Sequence, residues 1–141
     1  MSNRTLRTTL EQGRAAFAFA CAQVAKKDLG SKAKEYKAYA KKMPMLIKTN
    51  GLGAALAFAF SKGNKNGKPD TSKSWGLLYA HIEEWIRKDE KQVLPLGNEP
   101  LVKAIIHQDS AQYRAATIEV LAFLAWLRRF ADGLIEGEGG D

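Results

Sequence analysis

The chain has 141 residues, a net charge of +7 at pH 7 and a hydrophobic share of 45%, which are typical of one globular domain with its own core and exclude a disordered or fibrous chain. Its single cysteine, Cys21, excludes an internal disulfide bond. The longest apolar runs, at 51–60 and 120–127, are far shorter than a membrane span and no signal peptide is apparent, so we expect a cytoplasmic protein without membrane contact.

Charge is distributed unevenly along the chain. Residues 1–73 carry 15 basic and 4 acidic side chains, a net charge of +11, whereas residues 74–141 carry 7 basic and 11 acidic side chains, a net charge of −4. A basic N-terminal half predicts a polyanionic partner on one side of the molecule. Lysines that serve only solubility give the same pattern, so charge alone leaves both interpretations open.

Helical periodicity dominates the N-terminal half of the chain. The first predicted helix covers about residues 5–28, and Gly30 supplies a left-handed stop. Ser31 is predicted to cap a second helix, which Pro44 breaks or kinks before a short helical piece at 45–49. The apolar stripe of the first helix is predicted at steps of four and three residues: Leu6, Leu10, Gly13, Phe17, Ala20 and Val24.

The middle of the chain contains a corner, a loop and two further helices. A corner at 50–53 is predicted to open an apolar helix over 54–60. The segment 63–72, rich in turn residues and lysine, is predicted to be an exposed loop. The helix after it has a stripe of large apolar residues: Trp75, Leu78, Tyr79, Ile82 and Ile86. A break around Pro95 and a short helix ending near His107 follow.

The C-terminal helix is the longest predicted element. Asp109 and a glutamine three residues later have the spacing of a capping box, and the helix then extends from Ser110 to about Leu134. It is apolar on more than one face, which is typical of a helix at the centre of a bundle. The sequence therefore predicts an all-α fold: a compact bundle of roughly six or seven helices forming one domain, 1–135, followed by a disordered Gly/Glu-rich tail, 136–141.

Side chains suited to catalysis or metal binding are few and dispersed. His81 and Glu84 have i, i+3 spacing, but metal sites need more convergent ligands, and His81 is predicted to be a surface or interface residue. Glu83 and Glu84 are adjacent and point about 100° apart on a helix, which predicts a solvated pair. His107 is predicted to be structural and Cys21 to lie in the core. We therefore expect no enzyme, no metal and no cofactor.

A basic cluster extends from the second helix to the corner. Lys37 and Lys41 share a helical face, and Pro44 redirects the chain so that Lys48 approaches from the corner. A solvated face is the alternative interpretation, and Asn50 has a competing role as a helix cap. The candidate phosphate-contacting residues are Lys37, Lys41, Lys42, Lys48 and Asn50, with Arg14 of the first helix as a weaker candidate.

The segment 34–63, KEYKAYAKKMPMLIKTNGLGAALAFAFSKG, closely resembles the signature stretch of the small subunit of type III-B (Cmr-type) CRISPR RNA-guided effector complexes. The features that carry the resemblance are Tyr36, the Lys-Lys-Met-Pro step at 41–44, the Asn-Gly-Leu corner at 50–52 and the Ala/Phe helix ending in Ser-Lys-Gly at 61–63. The tryptophan-containing helix that follows and the terminal helix also fit, so the resemblance spans nearly the whole chain in order.

The resemblance implies a helical bundle without catalytic residues, copies of which stack head to tail as an inner filament. Backbone subunits grip the guide RNA, target RNA pairs with it between the two filaments, and the small subunit helps to hold the paired RNA and bridges the large and backbone subunits in antiviral defence. Because base pairing then supplies sequence specificity, the protein need only contact phosphates. Two alternatives stay open: a helical protein–protein adaptor with merely solvated lysines, and a stand-alone basic nucleic-acid binder.

Overall fold

The computed structural model describes residues 6–89 and 91–137, so the last four residues of the predicted tail lie outside the described residues. In chain order the elements are α1 (Leu6–Leu29), α2 (Ala33–Asn50), α3 (Leu52–Gly63), β1 (Asn64–Lys65), β2 (Lys68–Pro69), α4 (Ser74–Lys88), α5 (Leu101–Ala104) and α6 (Ser110–Leu134), with short 3₁₀ turns at Gly30–Lys32 and Ile105–His107. The predicted all-α class is confirmed. Within these ranges no helix is both long enough and apolar enough to cross a membrane.

The core forms around α6, which contacts α1, α2 and α4, while α3 packs on α4. α6 buries large apolar residues along its centre, among them Val120, Leu124 and Leu127. The predicted stripe of α4 is confirmed, from Trp75 to Ile86. Burying a side chain of this size contributes about 1.5–3 kcal/mol. Asp109 is the N-cap of α6, and its Oδ1 accepts a hydrogen bond from the backbone N–H of Gln112 at 2.8 Å, which is one of the two bonds of the predicted capping box.

The stripe predicted for α1 is wrong. Leu6 is 73% exposed and Val24 is 39% exposed, and the predicted positions between them are half-buried or exposed. The core-facing residues are mostly small: Ala18, Cys21, Ala22, Ala25 and Leu29. Small side chains allow the backbone of α1 to lie close to α6. The large apolar residues of the predicted stripe lie at the margin of that interface. Cys21 is buried, as predicted, and burial raises the pKa of its thiol.

α2 continues through Pro44 as one helix, where the sequence predicts a break and a second short helix. Proline removes one intrahelical hydrogen bond, but Met43 and Ile47 on either side of it are buried, and that burial holds the backbone helical. Ser31 does not cap this helix: it lies in the 3₁₀ turn, and the N-cap residue Lys32 makes no side-chain capping bond. This continuity leaves five helices of twelve or more residues in the described chain.

The segment predicted to be an exposed loop contains a two-stranded hairpin. Asn64 pairs with Pro69 and Lys65 pairs with Lys68 in antiparallel register. Asn66 and Gly67 between the strands have φ values of 55° and 81°. Two successive residues with positive φ are what a type I′ hairpin turn requires, and Asn-Gly is the dipeptide that adopts it most readily. The hairpin therefore holds Lys65 and Lys68 on an ordered backbone.

A buried hydrogen bond joins α2 to α4. The hydroxyl of Tyr36 and Nδ1 of His81 lie 2.7 Å apart, and their rings meet edge to face at 5.6 Å. The prediction that His81 is a surface or interface residue is wrong, because it lies on the side of α4 that also buries Ile82 and Trp85. Burial lowers the pKa of His81 to about 4.

We expect the protein to lose about 2 kcal/mol of stability between pH 7 and pH 5 through His81 alone. Its pKa is about 4 in the folded chain, against an ordinary value of 6.5. In this pH window the unfolded chain binds more protons, so acid favours unfolding, at about 1.4 kcal/mol per pKa unit. Urea unfolding at several pH values measures how the free energy of unfolding changes with pH. His81→Gln should remove the part of this change that His81 contributes. His107→Gln, at an exposed position, is the matched control and should leave it unchanged.

Candidate nucleic-acid interface

The C-terminal part of α2 exposes three of the six predicted phosphate-contacting residues. Lys42 and Lys48 are exposed on the helix and Asn50 is exposed at its end, while Lys41 is half-buried beside them. Met45, 68% exposed, lies between the two lysines at i, i+3 spacing, so all three share one side of the helix. We call Lys41, Lys42, Lys48 and Asn50 the α2 surface. No ion pair to Lys42 or Lys48 is found among residues 6–89 and 91–137.

The corner after α2 holds this surface in place. Gly51 has φ 91° and ψ 156°, and its N–H donates to the carbonyl of Ile47 at 2.8 Å, which closes α2. The N–H of Gly53 donates to the hydroxyl of Tyr113 on α6 at 2.7 Å. The N-cap of α3 is Gly51, with no side-chain capping bond, so the competing capping role considered for Asn50 is not observed at this corner. Asn50 is exposed at the end of α2, two residues after Lys48, so its amide is accessible to a ligand.

Lys37 is committed to a contact within the chain. Its Nζ donates to the carbonyl oxygens of Ile135 at 3.0 Å and Gly137 at 2.9 Å, and lies 3.7 Å from Oδ1 of Asp132. The side chain of Lys37 is only 12% exposed. A cation at the C-terminal end of a helix is favourable because the unpaired carbonyls there carry partial negative charge. Lys37 therefore fastens the segment after α6 to α2, and the alternative interpretation of a solvated face does not hold for this residue.

Arg14 is also held inside the molecule. Its Nε and one terminal nitrogen donate to the two carboxylate oxygens of Glu119 at 2.8 and 2.9 Å, a bidentate pair, and its other nitrogen donates to Glu11 at 2.6 Å. The hydrogen bond to Glu119 is the main cause that raises the pKa of Arg14. Its side chain is 12% exposed, so the guanidinium group is engaged within the chain and is largely withdrawn from solvent.

Glu119 is the centre of a buried network that the sequence analysis missed. It is completely buried, and besides Arg14 it accepts from Nε1 of Trp85 at 2.9 Å and from Nζ of Lys91 at 2.7 Å. Burial acts to raise the pKa of this carboxyl, but hydrogen bonds from Arg14, Lys91 and Trp85 outweigh it and lower the pKa to about 2. The sequence feature that could have indicated this network is an acidic residue directly before Val120, within an apolar face of the helix.

Glu83 is likewise structural, which corrects the prediction of a solvated pair. Its Oε2 accepts from the hydroxyl of Tyr79 at 3.1 Å and from the N–H of Leu101 at 2.9 Å, so it fixes the start of α5. Glu84 is exposed and pairs with Lys88 at 3.8 Å. Among the residues that the structure describes, no three His, Cys, Asp or Glu side chains converge on a point that could hold a metal ion.

Residues 10–134 match the family model described as CRISPR-associated protein (Cas_Cmr5). The CRISPR system Cmr subunit Cmr5 of Thermus thermophilus is 34% identical over 103 residues, which cover 72% of this chain and 76% of that protein. The crystal structure of a CRISPR-associated Cmr5 family protein from the same organism superposes with a TM-score of 0.68 at 28% identity, covering 94% of this chain and 99% of the other. The matched region includes the α2 surface, the corner and the buried network.

Proposed function

The chain belongs to the Cmr5 family of CRISPR-associated proteins, and from that premise we propose that it is the small subunit of a type III-B Cmr complex that helps to hold guide and target RNA through its α2 surface. The observation that carries the proposal is a pair of exposed lysines without a carboxylate partner in the described chain, Lys42 and Lys48, beside the fixed corner at Gly51. Ammonium groups of this kind bind phosphates regardless of base sequence.

In this proposal the α2 surface has two parts. Lys42 and Lys48 provide the long-range attraction, because their side chains reach solvent from one side of α2. Lys41 is half-buried and has contacts of its own. Its main contribution to the surface is therefore its charge, and not a side chain that moves freely in solvent. Asn50 adds an amide that can donate to a phosphate or a ribose oxygen. Lys37 and Arg14, whose charged groups are engaged within the chain, stay on the proposed list as weaker candidates.

The proposed role is non-catalytic. Glu119 is saturated by donors and has no solvent access, His81 is buried against Tyr36, and burial keeps the Cys21 thiol protonated by raising its pKa. None of these three groups is placed to reach a phosphodiester bond. RNA cleavage would then belong to other subunits of the complex, and this chain would act by binding and spacing, in the cytoplasm.

We also propose that copies of the chain stack head to tail and bridge the large and backbone subunits. The uneven charge supports this arrangement, since a net +11 over residues 1–73 and −4 over residues 74–141 allow a basic surface of one copy to face an acidic surface of the next. Such a contact joins two different surfaces, so it extends into a filament unless its rotation closes a ring.

Changing Lys41, Lys42 and Lys48 together to Glu should weaken retention of target RNA about equally for every guide. Phosphate contacts carry no base information, and each one that is lost should reduce the slope of log affinity against log salt by roughly 0.7–0.9. The measurement is target binding by assembled complexes across a salt series, with the helicity of the variant subunit checked by circular dichroism.

The matched control reverses three lysines away from the α2 surface, Lys26, Lys27 and Lys103, and should leave the slope unchanged. An unaltered affinity and slope in a folded, properly incorporated triple variant would contradict the proposal. Native purification with and without nuclease separates the remaining alternatives. An adaptor would co-elute with large subunits but without RNA, whereas a stand-alone binder would co-elute with RNA alone.

A further inference from the structure

Three aromatic rings meet where the start of α2, the end of α3 and the start of α4 converge. Tyr39 and Trp75 stack with centroids 4.2 Å apart and planes 8° from parallel. Phe58 meets Trp75 edge-on at 5.2 Å. Trp75 is buried between these two rings, but Phe58 is 40% exposed, so an aromatic ring packed against Trp75 reaches solvent. We call this region, with the lysines that line it, the aromatic cleft.

Lysines surround the aromatic cleft. Lys32, Lys62 and Lys73 line a cavity beside Tyr39 and Trp75, and Lys62 Nζ also lies 5.7 Å from the centroid of the Phe58 ring at the edge of the cavity. The adjoining hairpin adds Lys65 and Lys68, which face each other in register. Within the described ranges none of these five lysines pairs with a carboxylate.

Two exposed lysines elsewhere in the described chain do have carboxylate partners. Lys88 and Lys103 each lie 3.8 Å from a glutamate one helical turn away. Pairing with carboxylates therefore differs among the exposed lysines of the described chain.

Two carboxylates near the aromatic cleft are already engaged with serines. Oε1 of Glu35 accepts from the hydroxyl of Ser74 at 3.3 Å. Oδ1 of Asp70 accepts from the hydroxyl of Ser72 at 2.6 Å and from its N–H at 3.0 Å, and these bonds lower the pKa of Asp70. Five lysines against these two acids leave the region strongly positive. The chemistry fits a ligand with several negative charges.

An exposed apolar ring is ordinary when it occurs alone, and so is a group of lysines. Together they form the combination with which proteins bind single-stranded nucleic acid, where bases stack on aromatic faces and a basic groove follows the backbone. A purely acidic protein segment would use the lysines but would not need the ring. The stacked support beneath Phe58 holds that ring in one orientation, which lowers the entropic cost of stacking.

We propose that the aromatic cleft is a second RNA-contacting surface, which binds a single-stranded segment with one base stacked on Phe58 and phosphates against Lys62 and Lys73. This inference rests on the proposed function and adds to it a contact with unpaired RNA. Along α2 the two surfaces adjoin, because Tyr39 of the aromatic cleft lies three residues before Lys42.

The test uses the purified full chain and a labelled oligouridine at low salt. Phe58→Leu keeps apolar bulk against Trp75 but removes the ring, and should weaken binding of oligouridine about tenfold, in the range measured for base–aromatic stacking. Binding of inorganic polyphosphate, which has no bases, should be unchanged. Lys62→Gln with Lys73→Gln should weaken both ligands and reduce the salt slope by roughly 0.7 per phosphate contact on a single strand.

Ile118→Ala, at another exposed apolar position, and Lys26→Gln with Lys27→Gln serve as matched controls and should bind as the wild-type chain does. Equal loss of RNA and polyphosphate in Phe58→Leu, or no loss of either, would overturn the stacking proposal. Competition by polyglutamate as strong as that by oligouridine would instead assign the aromatic cleft to an acidic protein. If the wild-type chain bound no oligouridine, only the aromatic cleft would be refuted, because the proposed function is tested in assembled complexes with the α2-surface variant.

Discussion

Arg14→Met should lower the free energy of unfolding by about 3–5 kcal/mol, the usual cost of removing one partner from a buried ion pair. Arg14 supplies two of the four hydrogen bonds that Glu119 accepts, and Glu119 has no solvent access. Methionine preserves most of the apolar part of the side chain, so the loss reports the charge and its hydrogen bonds. Chemical unfolding at pH 7 measures it.

The double variant Arg14→Met with Glu119→Gln should recover much of that loss. A neutral amide removes the buried negative charge, and its oxygen still accepts from Nε1 of Trp85. The control is Lys103→Met, which breaks an exposed pair with Glu99 at 3.8 Å and should cost less than about 1 kcal/mol. A cost for Arg14→Met no greater than that of the control would show that the network does not stabilise the fold.

The parts of the fold that were predicted correctly are those where large apolar residues recur at helical spacing. α4 buries its predicted stripe and α6 was correctly predicted as a long apolar helix, because both contain many large residues such as Ile82 and Leu124. α1 buries small residues, and alanine is too weakly hydrophobic for its periodicity to stand out against Phe17 or Val24. A sequence pattern based on the size of apolar side chains therefore does not show where the backbones of two helices pack closely.

The candidate interface was predicted only in part, for a different physical reason. Helical spacing shows which side chains share a face, and Lys42 and Lys48 are exposed on one side of α2. Spacing cannot show that Lys37 reaches the carbonyl of Ile135, or that Arg14 reaches Glu119, because those partners lie about a hundred residues away in sequence. A lysine or arginine in a basic run is therefore a candidate for ligand contact only after its intramolecular partners are known.

The contact between α3 and α4 is another feature that spacing along the sequence could not predict, and here the contacting atoms belong to the backbone. Gly63 ends α3 and Gly76 lies in the first turn of α4, and both are buried. A Cβ atom on Gly76 would overlap the carbonyl oxygens of Asp70 and Gly63, and one on Gly63 would overlap the backbone of Gly76. Neither glycine has positive φ, so both positions require glycine for space rather than for backbone conformation.

Gly76→Ala should therefore destabilise the protein by about 3 kcal/mol or more, at the upper end of the cost of overpacking, because the obstructing atoms are backbone and cannot rotate away. Relief requires α3 and α4 to separate, which also loosens the hydrogen bond from the N–H of Asp70 to the carbonyl of Gly63, 2.7 Å in length. Gly63→Ala should have a similar effect. The double variant should cost less than the sum of the two, since the first substitution already separates the helices.

The matched control is Gly133→Ala in α6, where an added Cβ meets nothing within 4 Å. At that helical position alanine should stabilise the protein by about 0.5–1 kcal/mol through helix propensity and a less flexible unfolded chain. Urea unfolding followed by circular dichroism compares all four variants with the wild-type chain. Stability of Gly76→Ala within about 0.5 kcal/mol of wild type would mean that α3 and α4 do not meet through their backbones. Trp75, the residue before Gly76, would then lack the rigid support that lets it hold Phe58 at the surface.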